Sequence, residues 1–132
     1  MKTTNYHETL ITPSDDSKRM QSAVPERPGT VAALQYELLA AAPYGMTSDD
    51  LIWRAHVLRN EAADTEAARA AFFAKGQPCL RASPLVRSYG WGIHHDTKGR
   101  IALIACESSD FARLLADPSV TKRPGMRSSR RA

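Results

Sequence analysis

Between positions 75 and 96 the chain reads KGQPCLRASPLVRSYGWGIHHD. One short stretch thus holds a thiol, two guanidiniums, two hydroxyls, a phenol, an indole and two adjacent imidazoles. The sharpest chemistry on offer is nucleophilic. Cys79 would act as a thiolate with a histidine as its base, and His94 and His95 follow on the same segment. Against this, no cysteine-enzyme signature surrounds Cys79, and an isolated cysteine is most often a small buried apolar group. Cys106 closes an apolar run, IALIAC, and reads as core.

Metal chemistry has weaker support. His94 and His95 are neighbours on an expected strand, so their side chains diverge, whereas two ligands on a strand want positions i and i+2. His7 and His56 are remote in sequence. No metal site and no cofactor is therefore expected. The phosphate-cradling and nucleophile-elbow patterns GxxxxGK[ST], GxGxxG and GxSxG are missing from the sequence.

A second grouping suits an anion. Arg81 and Arg87 offer forked donors for phosphate or carboxylate. Ser83 adds a hydroxyl, and Tyr89 and Trp91, on one strand face, could stack a planar ligand. The plainer alternative puts both rings on the helix-facing side of a sheet and pairs the arginines with acids. Gly90 and Gly92 thin the strand's other face, so a helix, a backbone or a ligand can approach.

These residues need a scaffold, and the pattern supplies one. A strand is expected over 6–12, followed by a polar surface loop at 13–29 with three prolines. Thr30 caps a helix over 31–42 with the stripe Val31, Leu34, Leu38. Thr47, with Asp50 three residues on, makes a capping box for a helix to about Asn60 that buries Leu51, Ala55 and Leu58. A third helix runs from about Asp64 to Gly76. The segment 77–85 reads as irregular. From Tyr89 alternation begins, DTKG turns the chain, and RIALIAC returns as a strand covered on both faces. Ser108 caps a last short helix. The expected fold is α+β: a small antiparallel sheet, from the N-terminal strand and the 89–106 hairpin, packed with three to four helices.

The totals agree with one domain over 1–132, with a basic C-terminal tail at 122–132. The net charge of +4 is deceptive. Of the 18 Lys and Arg, five lie in KRPGMRSSRRA; the remaining 13 face 14 Asp and Glu, so the body is close to neutral. This weakens a whole-domain case for nucleic acid and leaves the tail as the basic feature. No stretch has the length of an apolar membrane span, and MKTTNYHETLITPSDD lacks the core of a signal peptide, so no membrane is expected and the cytoplasm is the expected setting. Two cysteines, 79 and 106, are then both reduced.

Six segments together carry a resemblance: TTNY at 3–6, TVAALQYELL at 30–39, YGMTSDD at 44–50, FFAKGQPCLRASPL at 72–85, YGWGIHHDTKGRIAL at 89–103 and MRSSR at 126–130. They resemble a family of small bacterial proteins with no assigned activity, a domain of unknown function, over nearly the whole chain. The resemblance implies a single cytoplasmic domain. It also draws attention to Lys75, Gln77, Cys79, Arg81, Ser83, Trp91, His94, Met126, Arg127, Ser128 and Arg130 as one surface, onto which the tail folds back.

Three functions remain open at this point. The favoured one is a binding module for an anionic ligand (a nucleotide, nucleic acid or phosphorylated metabolite), with Arg81, Ser83, Arg87, Tyr89, Trp91, His94, Arg127 and Arg130 as its contacts. The alternatives are a cysteine/histidine-dependent enzyme built on Cys79 or His94, and a protein–protein module without chemistry.

Overall fold

Hydroxyl caps set the helix starts. The computed structural model describes residues 2–127. Thr30 accepts from Ala33 N at 3.2 Å and opens α1, Val31–Ala41. Thr47 opens α2, Ser48–Asn60, with a complete capping box: Asp50 N donates to Thr47 Oγ1 at 3.2 Å, and Thr47 N donates to Asp50 Oδ2 at 3.1 Å. Thr65 opens α3, Glu66–Ala74, and Ser108 opens α5, Ser109–Ala116. Among the described residues no helix is long and apolar enough to cross a membrane.

The fold is α+β, with strands β1 Thr9–Thr12, β2 Trp91–His95, β3 Ile101–Ala105 and β4 Thr121–Pro124 in one sheet of order β3-β2-β1-β4. The two antiparallel pairings join β1 to β2 and β2 to β3. β4 runs parallel to β1, with Thr9 opposite Thr121. The sheet is therefore mixed rather than antiparallel, because part of the expected tail is its fourth strand. TKRP has no apolar alternation to announce a strand. Lys, Arg and Pro are nonetheless what an exposed sheet edge tolerates, since they discourage pairing with another chain.

Three other expectations shift. The first strand begins at Thr9 because Glu8 takes a left-handed φ of 50° and kinks the chain before it. Residues 77–85 are not irregular: a 3-10 turn, Leu80–Ala82, leads through Ser83 into α4, Pro84–Arg87. β2 starts two residues after Tyr89, since Gly90 turns through φ 75°.

The sheet is covered on both faces. On one, Ile11, Ile93 and Ile101 pack with Leu39, Leu51, Leu80, Leu85 and Val86. On the other, Leu10 and Ile104 pack with Leu114, Val120 and Phe111. The expected stripe of α1 is only half-buried. Ala32, Ala33, Gln35 and Leu39 lie deepest, because α1 touches α2, β3 and α4 at once. Leu58 is 55% exposed, while Trp53 is buried and its Nε1 donates to Asp64 Oδ1 at 2.9 Å.

The thinned strand face is filled by the protein itself. A Cβ on Gly92 would lie 2.9 Å from Phe111 Cε2, and one on Gly90 would lie 3.0 Å from Arg19 Cβ and 3.2 Å from Gln21 O. The 13–29 loop thus lies along β2 as a strap. Ala23 N donates to Tyr89 O, Ser22 Oγ donates to Gly90 O, and Trp91 Nε1 donates to Ala23 O at 2.8 Å. Gly92→Ala should cost about 1–3 kcal/mol through overpacking against the Phe111 ring. Pairing it with Phe111→Leu should recover part of that loss in a thermal melt. If Gly92→Ala melts like the wild type, the close α5–β2 approach is wrong.

Candidate functional site

A cleft of about 390 Å³ opens between α1, α2, the end of α3 and the 77–84 segment. Its size falls in the range of small-molecule sites. Each wall comes from a separate local event. α2 ends at Asn60, with Glu61 as a left-handed C-cap, which leaves His56, Arg59 and Asn60 along the rim. α3 ends at Ala74, Gly76 follows with φ 76°, and the chain doubles back so that Gln77 donates to Phe72 O at 2.8 Å. Pro78 then leads into the 3-10 turn, placing Cys79 and Ser83 on the cleft.

The polar groups are held. Ser83 Oγ, buried, donates to Gln35 Oε1 at 2.6 Å and caps α4 by accepting from Leu85 N. Asn60 Nδ2 lies 3.1 Å from both His56 Nδ1 and His56 O. An amide donor at Nδ1 leaves the neutral ring's proton on Nε2. The His56 ring lies against Phe72, centroids 4.4 Å apart, with Trp53 behind it at 5.7 Å. Cys79 Sγ is 3.2 Å from the Tyr6 hydroxyl. Burial, and then the neighbouring thiol, push the Tyr6 phenol above its usual range, while Arg81 and Arg123 pull it back.

Among the described residues, the lining has one permanent charge, the Arg59 guanidinium, and no carboxylate. Among the described residues the ion pairs are Asp50–Arg69 and Asp110–Arg113, so Arg59 has none.

The residues expected to form a site divide into four places. Arg81, Arg87 and Arg127 do come together, where the 124–127 segment crosses the 81–87 segment. Arg81 Nε donates to Pro124 O at 2.7 Å, Met126 N donates to Arg81 O at 2.7 Å, and Arg87 reaches Arg127 O at 3.5 Å. Ser83 faces the cleft instead. Tyr89 and Trp91 lie on the helix side of the sheet, half-buried against the main core. Trp91 packs on Tyr36 at 5.6 Å, and Arg19 lies 6.0 Å over Tyr89. His94 is on the opposite face, its Nδ1 2.8 Å from the hydroxyl of Tyr44. Ser128 and Arg130 lie outside the described residues.

The thiol does not meet the histidines expected of it. Its partner is Tyr6; His94 is bonded to Tyr44, and His95 is fully buried with its ring edge-on to Tyr6 at 5.5 Å. The imidazole that shares the cleft with Cys79 is His56. Sequence spacing gave no signal for His56, Arg59 or Gln35, because they join Cys79 only through packing of α1 and α2 on the 77–84 segment. Among the described residues, no three His, Cys, Asp or Glu side chains group as they would to hold a metal ion.

No curated protein and no solved structure matches the chain. A family model does, over residues 1–131. Within KGQPCLRASPL, residues 77–80 and 82–84 form one wall of the cleft. The chain belongs to the family of unknown function DUF6157.

Proposed function

We propose that this protein is a binding module for a small anionic molecule, taken up in the cleft between α1, α2 and the 77–84 segment. One observation carries the reading: among the described residues, the lining offers a guanidinium, an imidazole, three amides, a hydroxyl and a thiol, and not one carboxylate. An unpaired guanidinium beside a half-apolar cleft gains most from a phosphate or carboxylate, whose hydrogen bonds to it are charge-assisted. Arg81 and Arg87 donate to the backbone carbonyls of Pro124 and Arg127, which ties the 124–127 segment to the domain. A cytoplasmic setting, with Cys79 and Cys106 kept reduced, belongs to the same reading.

The thiol gives a built-in reporter, because Cys79 lines the cleft and is half-buried. A panel of phosphates and carboxylates should raise the melting temperature and slow iodoacetamide labelling of Cys79. A ligand at about 100 times its Kd adds roughly 2.7 kcal/mol to stability. Arg59→Gln should abolish most of the effect, and binding should weaken as salt screens the charge pair. Short oligonucleotides belong in the same panel. If they alone bind, and Arg59→Gln leaves that binding unchanged, the cleft is not the site. If no anion changes either melting or labelling, the proposal is wrong.

A further inference from the structure

We infer that the anion taken by the cleft carries a flat heteroaromatic ring, of the size of a nucleoside monophosphate or smaller. This inference rests on the reading of the cleft as an anion site. Its own support comes from the cleft's aromatic wall and from its two open amide groups.

His56 and Phe72 both line the cleft, their rings inclined by 34° at 4.4 Å, and neither is fully buried. Aromatic side chains fixed against each other at the edge of a cavity present a rigid surface with little entropy left to lose. Such surfaces take planar rings without regard to ring identity. Trp53 stacks on His56 at 28°, so the imidazole packs against both Trp53 and Phe72.

The amides add an edge to the surface. Gln35 uses its Oε1 to accept from Ser83, which leaves its NH₂ without a partner among the described residues. Gln77 uses its NH₂ on Phe72 O, which leaves its Oε1 as an acceptor. Each amide is thereby fixed in one orientation by the bond it already makes. A free donor and a free acceptor then remain on the same cleft, the pair an amide-type heterocycle edge requires. Arg59 supplies the contact for the charged group. The volume of about 390 Å³ corresponds to roughly 13 waters at about 30 Å³ each. That accommodates one ring, a linker and one anionic group.

The test compares four probes by isothermal titration on the full chain: adenosine 5′-monophosphate, nicotinate, ribose 5-phosphate and adenosine. The ring-bearing anions should bind at least about 10-fold tighter than ribose 5-phosphate, the gain expected from stacking one ring. Adenosine, lacking the charge, should bind more weakly than its monophosphate. Nicotinate binding as well as the monophosphate would identify a ring carboxylate as sufficient; binding by the monophosphate alone would identify phosphate. Phe72→Leu should shrink the affinity ratio between adenosine 5′-monophosphate and ribose 5-phosphate, and Arg59→Gln should shrink the ratio between adenosine 5′-monophosphate and adenosine. The comparison among probes on the wild type stands even if Phe72→Leu fails to fold. Equal affinity for adenosine 5′-monophosphate and ribose 5-phosphate would overturn this inference and leave the anion reading standing. Silence from all four probes would overturn both.

Discussion

Asp49→Ala is expected to lower the free energy of unfolding by about 3–5 kcal/mol in a urea titration, among the largest losses any single polar substitution here could cause. The carboxylate is 3% exposed and accepts three bonds from a segment more than forty residues away: Thr3 Oγ1 at 2.7 Å, Thr4 N at 2.7 Å and Thr4 Oγ1 at 2.6 Å. Its own backbone N–H donates to Asn5 Oδ1 at 2.9 Å, and Thr4 Oγ1 also meets Ser48 Oγ at 2.8 Å. Hydrogen bonds to a charged group are each worth about 1.5–3 kcal/mol, and their loss leaves Thr4 with buried unpaired groups. The position at the first turn of α2 adds the favourable end of the helix dipole. Asp49→Asn keeps the shape and one acceptor oxygen, so it should lose roughly half as much. If Asp49→Ala leaves the urea midpoint unchanged but speeds proteolysis near residue 8, the N-terminal segment detaches by itself and does not share in the global transition.

Acid should unfold this protein earlier than its carboxylates require. His95 is fully buried between the sheet and the helices, and neither ring nitrogen has a hydrogen-bond partner. Backbone groups of Ile93 and Thr9 lie near and favour the protonated ring, but they do not reach a nitrogen with hydrogen-bond geometry. Burial dominates and lowers the pKa to about 4, with His94 and His7 adding like charge. In the unfolded chain an imidazole titrates near 6.5. Between those two values the unfolded state binds more protons than the native one, so stability falls as pH falls from about 6.5 to about 4. It is undiminished above that window. The difference amounts to about 3 kcal/mol. Asp50, which burial pushes up but bonds to Thr47 and Arg69 together hold below the usual carboxylate range, contributes an acid loss only lower down. Urea midpoints at pH 7.5, 6.5, 5.5 and 4.5 should therefore slope down in the wild type and flatten in His95→Phe. His94 is also lowered by burial, so His94→Gln serves as a control for its share. A wild-type protein equally stable at pH 7.5 and 4.5 would show that the ring finds a partner for its proton.

Local chemistry made much of the fold legible. Thr-x-x-Asp at 47–50 is a complete instruction for a helix start, and it formed as written. Thr30, Ser108, Gly76 and the hairpin turn are of the same kind. Features that depend on a distant partner were hidden. TKRP becomes a strand only because β1 leaves an edge for it. Trp53 is buried, and Leu58 is not, because α3 closes over one side of α2 and Asp64 awaits the indole. Close approach at Gly90 and Gly92 could be read from the bare strand face, whereas its occupants, the strap and Phe111, could not. The candidate site divides in the same way. Cys79 and Ser83 stood out by type and are on the cleft. His56, Arg59 and Gln35 looked like ordinary helix residues, and only the packing of α1 and α2 on the 77–84 segment brings them to one cleft.

The parallel pairing of β4 with β1 also fixes an order of events during synthesis. β1 is made early, and its partner at Thr121 is 112 residues later. At about 5–20 residues per second, that is roughly 6 to 22 seconds on the ribosome. Through that interval Leu10 and Ile11, both destined for full burial, belong to a strand whose last edge has no neighbour. The hairpin can dock on one side of β1 before this, but the other side stays an open template for any passing chain. Nascent chains shortened before Thr121 are thus the aggregation-prone species of this protein, and a holdase that covers residues 9–12 would protect them.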